Sequence, residues 1–214
     1  MQNYPEVARK IAAHLLNIEA IRLSPSHPFQ WSSGWNSPIY CDNRLSLSYP
    51  EVRTYIKNEL AEAIRVHFPA VEVIAGVATA GIAQGALVAD VLQLPYIYVR
   101  PEPKKHGMGN QIEGRVLAGQ KVVVLEDLIS TGGSSLKVVD VLRAAGAEVL
   151  GMIAIFTYGF PLAEANFKEK EVKLVCLSNY DCLLQEALKL DYVQQDQLTT
   201  LAQWREDPGS WGEK

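Results

Sequence analysis

Two carboxylates stand side by side at Glu126 and Asp127, and the next eight residues supply Ser130, Thr131, Gly132, Gly133, Ser134 and Ser135. Ahead of them, residues 122–125 read Val-Val-Val-Leu, the composition of a strand buried on both faces. A buried strand therefore ends in an acidic pair, and a small hydroxyl-rich turn leads into a helix. A helix N-terminus offers free N–H groups and the positive end of its dipole, which together attract phosphate. Gly132 and Gly133 allow close approach of the backbone, and the hydroxyls add donors. The loop is suited to a phosphate monoester. It is not a Walker A loop, because no Gly-Lys-Ser/Thr closes it.

The acidic pair needs its own account, since two carboxylates beside a phosphate repel the ligand unless something lies between. Sugar hydroxyls meet that need, and so does a hard cation such as Mg²⁺. The combined ligand is then a ribose 5-phosphate with a metal nearby. For either carboxylate alone, an acidic turn capping a helix is the plainer reading; the whole string in its strand–turn–helix setting favours the ligand. A second segment collects charge of the opposite sign. Arg100, Lys104, Lys105, His106 and Arg115 face only Glu102 and Glu113 across a glycine-rich stretch. Such a segment is either a solvated surface loop or a lid whose cations neutralise an anion, with His106 able to donate a hydrogen bond or proton.

The elements that must position these residues are legible in outline. Residues 3–18 read as an amphipathic helix capped by Asn3, with Val7, Ile11, Leu15 and Ile18 on one face. A stretch rich in Pro, Ser, Trp and Gly follows at 24–38, with extended pieces at 21–23 and 39–41, and forms a small irregular hood. A second helix spans about 48–67, with Val52, Tyr55, Ile56, Leu60 and Ile64 at helical spacing. From residue 71 the pattern alternates: strands at 71–77, 96–100, 121–125, 149–156 and 172–177, helices at 81–92 and 131–145, then two more near 179–189 and 196–205. Apolar strands alternating with helices predict an α/β fold, a central mostly parallel sheet flanked by helices. The expected division is 1–70 for the N-terminal helices and hood, 71–178 for the α/β core, and 179–214 for C-terminal helices packing on it.

Composition narrows the class. Of 214 residues, 48% are apolar and 21% charged, which suits a globular chain and excludes disorder. The net charge of −4 argues against nucleic acid as a partner. Cys41, Cys176 and Cys182 form neither a disulfide framework nor a metal spacing, and no stretch is apolar enough to span a membrane. A cytoplasmic setting is expected. Trp31, Trp35 and Tyr40 are read as packing the hood, and Trp204 and Trp211 as docking the last helix.

Residues 122–135 resemble the phosphoribosyl pyrophosphate (PRPP) signature of the type I phosphoribosyltransferases. Residues 29–40 resemble the Ser-Gly-x-x-Ser-Pro hood segment of the orotate phosphoribosyltransferase branch. Residues 76–81 are similar to that family's short loop beside pyrophosphate, and 100–114 to its mobile catalytic loop. The resemblance covers about residues 20–177. Where the family often carries a basic residue, this chain has Ser32, Ala80, Pro101 and Glu102, and the stretch Thr157, Tyr158, Gly159, Phe160 lacks the family's Arg.

The resemblance implies the family fold and transfer of phosphoribosyl from PRPP to orotate, with Mg²⁺ carried mainly by PRPP, near Asp127, rather than by protein ligands. It implies PRPP contacts from Arg100, Lys104, His106, Glu126, Asp127, Leu128, Ile129, Ser130, Thr131, Gly132, Gly133 and Ser134. Lys104, His106 and Asp127 take the catalytic roles, and Ser130 also meets orotate. It further implies a homodimer sharing the mobile loop between subunits. The alternatives are a phosphoribosyltransferase for another base and a PRPP-sensing regulator of the same fold.

Overall fold

The computed structural model describes residues 5–31, 34–102 and 110–211. Asn3, Ser32, Lys104, Lys105 and His106, each singled out above, lie outside the described residues. The chain opens with helix α1 (Pro5–Asn17), whose buried stripe is Ala8, Ile11, Ala12, Leu15 and Leu16. The expected stripe is thus rotated: Val7 and Ile18 are only partly covered. The reason is that α1 packs on two neighbours at once, a late helix and the edge strand of the sheet, and needs a wider apolar face.

The hood follows as two small antiparallel pairs. β1 (Ile21–Leu23) pairs with β4 (Ile39–Cys41), and β2 (Phe29–Gln30) with β3 (Asn36–Ser37). A 3₁₀ turn at Asn43–Ser48 leads into α2 (Pro50–His67), which has Pro at its first position and buries Val52, Ile56, Leu60 and Ile64.

Among the described residues the central sheet has six strands. β5 (Val73–Val77) is followed by α3 (Gly81–Leu92) and β6 (Tyr96–Val99), and β6 turns back into the short antiparallel β7 (Ile112–Glu113). The chain then crosses to the other side of β5 with β8 (Lys121–Ile129), α4 (Gly133–Ala144) and β9 (Glu148–Thr157). α5 (Pro161–Glu169) leads to β10 (Leu174–Asn179), and α6 (Tyr180–Lys189) and α7 (Leu198–Glu206) complete the fold. The spatial order is β10-β9-β8-β5-β6-β7, parallel except for β7.

Alternate residues of the strands feed two cores. Ile74, Val123 and Leu125 join α1, α2, α6 and α7 on one face, in a cluster that runs from Ile11 to Trp204. Val73, Val122 and Val124 join Leu136 and Phe167 of α4 and α5 on the other. Burial on both faces explains the unbroken apolar runs in the sequence.

Several elements differ from expectation. β8 runs four residues past Leu125, because β9 continues beside it and Ile129 is buried. Helix α5 was not expected; it is nine residues long and buries only Ala163 and Phe167, too little for a periodic signal. β10 begins two residues later than 172. In the hood, Trp31 packs against Tyr158 and Trp204 with ring centroids 5.5 and 5.6 Å away. Tyr40, 37% exposed, packs within the hood on the Phe29 ring at 5.8 Å and on Arg22, and Trp35 is 36% exposed, so Trp31 carries the hood's packing onto the main core. Trp204 is fully buried, and Trp211 packs partly on the same core, as expected.

Candidate active site

The strand order reverses between β5 and β8. β5 hands on to β6 on one side, and the later strands build on the other. Ligands of open α/β sheets bind in the crevice outside the strand ends at such a point. A cleft of 260 Å³ lies there, lined by Val77, Ala78, Thr79 and Ala80 after β5, by Pro101 after β6, by Glu126, Asp127 and Leu128 of β8, and by Ser134 and Val138 of α4. The Ala78–Thr79 peptide in its wall is cis. α3 approaches β8 closely here: a Cβ on Gly81 would stand 2.5 Å from the Leu125 carbonyl oxygen, so only glycine fits.

Glu126 and Asp127 do not play equal parts. Glu126 is 6% exposed; its Oε1 accepts from the Asp127 N–H at 3.0 Å and its Oε2 from the Ser135 hydroxyl at 2.8 Å. Ser135 therefore orients a carboxylate instead of adding a donor to the phosphate loop. Burial first, and the Asp127 charge second, push the Glu126 carboxyl up to about 8. Asp127 is also raised by burial, against the hydrogen bond from Glu126 and the charge of Arg44. At neutral pH the pair holds a proton, with Glu126 as its main bearer. The folded chain thus keeps a proton that the unfolded chain releases above its ordinary 4.5. The stability this group contributes is full below that value and falls as pH rises toward about 8. We expect Glu126→Gln to gain on wild type with rising pH. The difference in melting temperature, measured by calorimetry without ligand, should widen in the variant's favour between about pH 5 and pH 8.5. A difference constant over that range would show Glu126 ionised throughout.

The turn after β8 is held by its surroundings. The Thr131 carbonyl accepts from Asn166 Nδ2 at 2.9 Å, and the Ile129 carbonyl accepts from the Tyr158 N–H and the Thr157 hydroxyl, both at 3.2 Å. Gly132 has φ +78°, and a Cβ there would meet the Phe167 ring at 2.6 Å. The turn and the packing on α5 thus each require glycine at 132. A Cβ on Gly133 would meet nothing nearer than Thr131 Oγ1 at 3.9 Å, so the open side lies there. Gly133 and Ser134 are exposed at the start of α4, and Ser130 and Thr131 are half-buried.

The structure thus brings together Glu126, Asp127, Leu128, Ser130, Thr131, Gly132, Gly133 and Ser134. It does not bring in the Ile129 side chain, which is buried in the core with its carbonyl already bonded. Arg100 stands at the end of β6 with its guanidinium 3.7 Å from Glu113, while its neighbour Pro101 reaches the cleft.

Sequence reading missed Asn43, whose Nδ2 donates to the Asp127 carbonyl oxygen at 2.8 Å. A contact spanning 84 positions leaves no periodic trace in one sequence. It also missed Asn166, on the unexpected α5. A larger groove, 690 Å³, runs between α2, the start of α1 and β10; it holds none of the residues that the PRPP signature singles out. Among the described residues no group of three or more His, Cys, Asp or Glu could hold a metal ion.

Comparison with known proteins agrees with this geometry. The phosphoribosyl transferase domain model matches residues 46–183. The orotate phosphoribosyltransferase of Cytophaga hutchinsonii is 62% identical, over 95% of this chain and 97% of its own. The crystal structure of orotate phosphoribosyltransferase from Aeropyrum pernix superposes with a TM-score of 0.73 at 30% identity, over 86% of this chain and 99% of that one. Against the UMP synthase of Leishmania donovani the TM-score is 0.76 at 25% identity, over 92% of this chain and 42% of the longer one. With relatives this similar over nearly its whole length, the chain belongs to the type I phosphoribosyltransferases, in their orotate phosphoribosyltransferase branch.

Proposed function

We propose that the chain transfers the phosphoribosyl group of PRPP to orotate, giving orotidine 5′-monophosphate and diphosphate. The observation that carries this reading is the pair of buried Glu126 and half-buried Asp127 beside the start of α4, at the sheet's switch point. As the C1–O bond to diphosphate breaks, C1 of the ribose gains positive charge. Asp127, backed by protonated Glu126, accepts hydrogen bonds from the ribose hydroxyls and lies near that charge. The 5-phosphate takes the N–H groups at the start of α4 and the hydroxyls of Ser130, Thr131 and Ser134, with Gly133 as the open side. Leu128 forms apolar wall, Gly132 and Ile129 shape the turn, and Ser130 also meets the base. Arg100, Lys104 and His106 serve the departing diphosphate, where positive charge counts most as the bond breaks. The orotate ring nitrogen bonds to C1 as the C1–O bond breaks, and the proton it carried passes to the departing diphosphate.

The acidic pair also fits Mg²⁺. Two carboxylates kept from full ionisation by burial beside a polyanion site are stabilised by a divalent cation. Asp127 would face it through the ribose hydroxyls, and the ion supplies charge neutralisation of the diphosphate. No helix of the described residues is long and apolar enough to cross a membrane, and the unpaired cysteines suit a reducing cytoplasm.

Support for a homodimer comes from α3. Asp90 is its one charged residue in twelve, yet Ile82, Ala83, Leu87 and Val91 are only half-buried. A helix apolar on all sides is normally covered on all sides. If the 100–114 loop crosses to the partner's cleft, Lys104→Ala and Asp127→Asn subunits have complementary defects. Mixing the two inactive proteins with subunit exchange should restore up to about half of wild-type activity per mixed dimer. No recovery despite exchange shown by native mass spectrometry would mean that the loop serves its own subunit.

The function itself is tested by PRPP- and Mg²⁺-dependent loss of orotate, with adenine, guanine, xanthine and uracil as competitors. Orotate should be consumed in preference to all four. Preference for another base would make this a different phosphoribosyltransferase, and PRPP binding without turnover would make it a sensor.

A further inference from the structure

The catalytic pair sits on an overhang. β5 pairs with β8 only as far as Gly76 and Leu125, whereas β8 runs on to Ile129 beside β9. Among the described residues, the β5 ladder therefore ends one residue before Glu126. The Asn43 amide reaches this stretch from the turn after the hood, donating to the Asp127 carbonyl oxygen at 2.8 Å while only 1% exposed.

Asn43 is itself held by further hydrogen bonds. The Cys41 thiol of β4 donates to its Oδ1 at 3.3 Å, and burial keeps that thiol protonated. The Ser46 hydroxyl donates to its backbone carbonyl at 2.6 Å. Gln84, near the start of α3, donates in turn to Ser46 Oγ at 3.2 Å. One run of hydrogen bonds thus ties the hood, the helix after the 78–80 wall of the cleft, and the Asp127 peptide. The Gln84 Oε1 atom is buried without a partner among the described residues, so the amide is oriented for the bond its nitrogen makes and its oxygen bears the cost.

We propose that Asn43 is a positioning residue for phosphoribosyl transfer: its amide fixes the Asp127 peptide and so sets the direction of the Asp127 carboxylate toward the ribose. The inference rests on reading Asp127 as the ribose-facing carboxylate. A misplacement of about 1 Å at a reacting centre can cost on the order of a hundredfold in rate. Loss of one of the bonds that hold this peptide permits part of that displacement.

The test uses the full chain with PRPP, Mg²⁺ and orotate, well below each variant's melting temperature. Asn43→Asp keeps the volume and the acceptor but loses the donor; Asn43→Ala loses both. In each, kcat should fall about tenfold while the KM for PRPP stays within about threefold of wild type. A kcat within about twofold of wild type in either folded variant overturns the proposal. So does a raised KM with kcat unchanged, which marks lost ground-state binding. If neither variant folds, Ser46→Ala removes the hydroxyl that steadies Asn43, and should lower kcat in the same direction; an unchanged kcat there also overturns it. Asp127→Asn is measured alongside. Full activity of Asp127→Asn undoes the reading of Asp127 itself, whereas a crippled Asp127→Asn beside active Asn43 variants undoes only the role of Asn43.

Discussion

Asp127→Asn should lower turnover by on the order of a hundredfold or more while leaving the fold intact. The substitution keeps the shape of the side chain and one acceptor oxygen. It removes the negative charge beside C1 and replaces the other acceptor by an N–H donor, which faces ribose hydroxyls that need acceptors. Stability should hold or improve, since burial already raises the Asp127 carboxyl and a neutral amide avoids desolvating a charge. The steady-state rate and the melting temperature of the same preparation check both halves. An unchanged rate would sink the assignment of Asp127; a collapsed melting temperature would make its role structural.

Gly132→Val should abolish measurable PRPP binding. The sequence suggests a glycine that serves a positive-φ turn and close approach to phosphate. In the structure its φ of +78° demands a conformation that a β-branched residue adopts only under strain, and the added Cβ would run into the Phe167 ring. The φ strain alone costs roughly 1–2 kcal/mol, and overpacking adds about 1–3 kcal/mol. The turn must deform, and the N–H groups it aims are lost as a set. Gly133→Ala is the contrasting case. Its Cβ would make only an ordinary contact with Thr131 Oγ1 at 3.9 Å, so stability should hold while the methyl intrudes where phosphate would sit. Calorimetric titration with PRPP, paired with thermal unfolding, separates the two. Wild-type affinity in folded Gly132→Val would show that this turn is not the phosphate cradle.

Much of this site could be read from the chain because its signals are local. The buried strand, the acidic pair and the hydroxyl turn are contiguous, and phosphate recognition by a helix N-terminus needs little beyond contiguous backbone. The extent of β8 was less legible. Glu126 and Asp127 look like the end of a strand, yet the ladder with β9 carries the strand on to Ile129. Polar residues inside a strand are tolerated there because that is where the cleft opens. α5 was illegible because two buried side chains in nine residues make no period. It nonetheless supplies Asn166 and Phe167, which hold the turn from behind. Trp31 and Trp35 look alike in the sequence, because aromatic content alone does not say which ring faces the core. The Asn43, Ser46 and Gln84 run was out of reach altogether, since it joins elements that only the folded sheet brings together.

Hydrogen exchange with and without PRPP and Mg²⁺ tests most directly whether the β8–α4 turn is the phosphate cradle. Backbone amides of residues 130–135 become acceptor-bound donors when phosphate docks there. Their exchange should slow markedly on adding PRPP, with smaller protection at 78–80 across the cleft and none in the groove between α2 and β10. Unchanged exchange at 130–135 under saturating PRPP, or protection confined to that groove, would contradict the account.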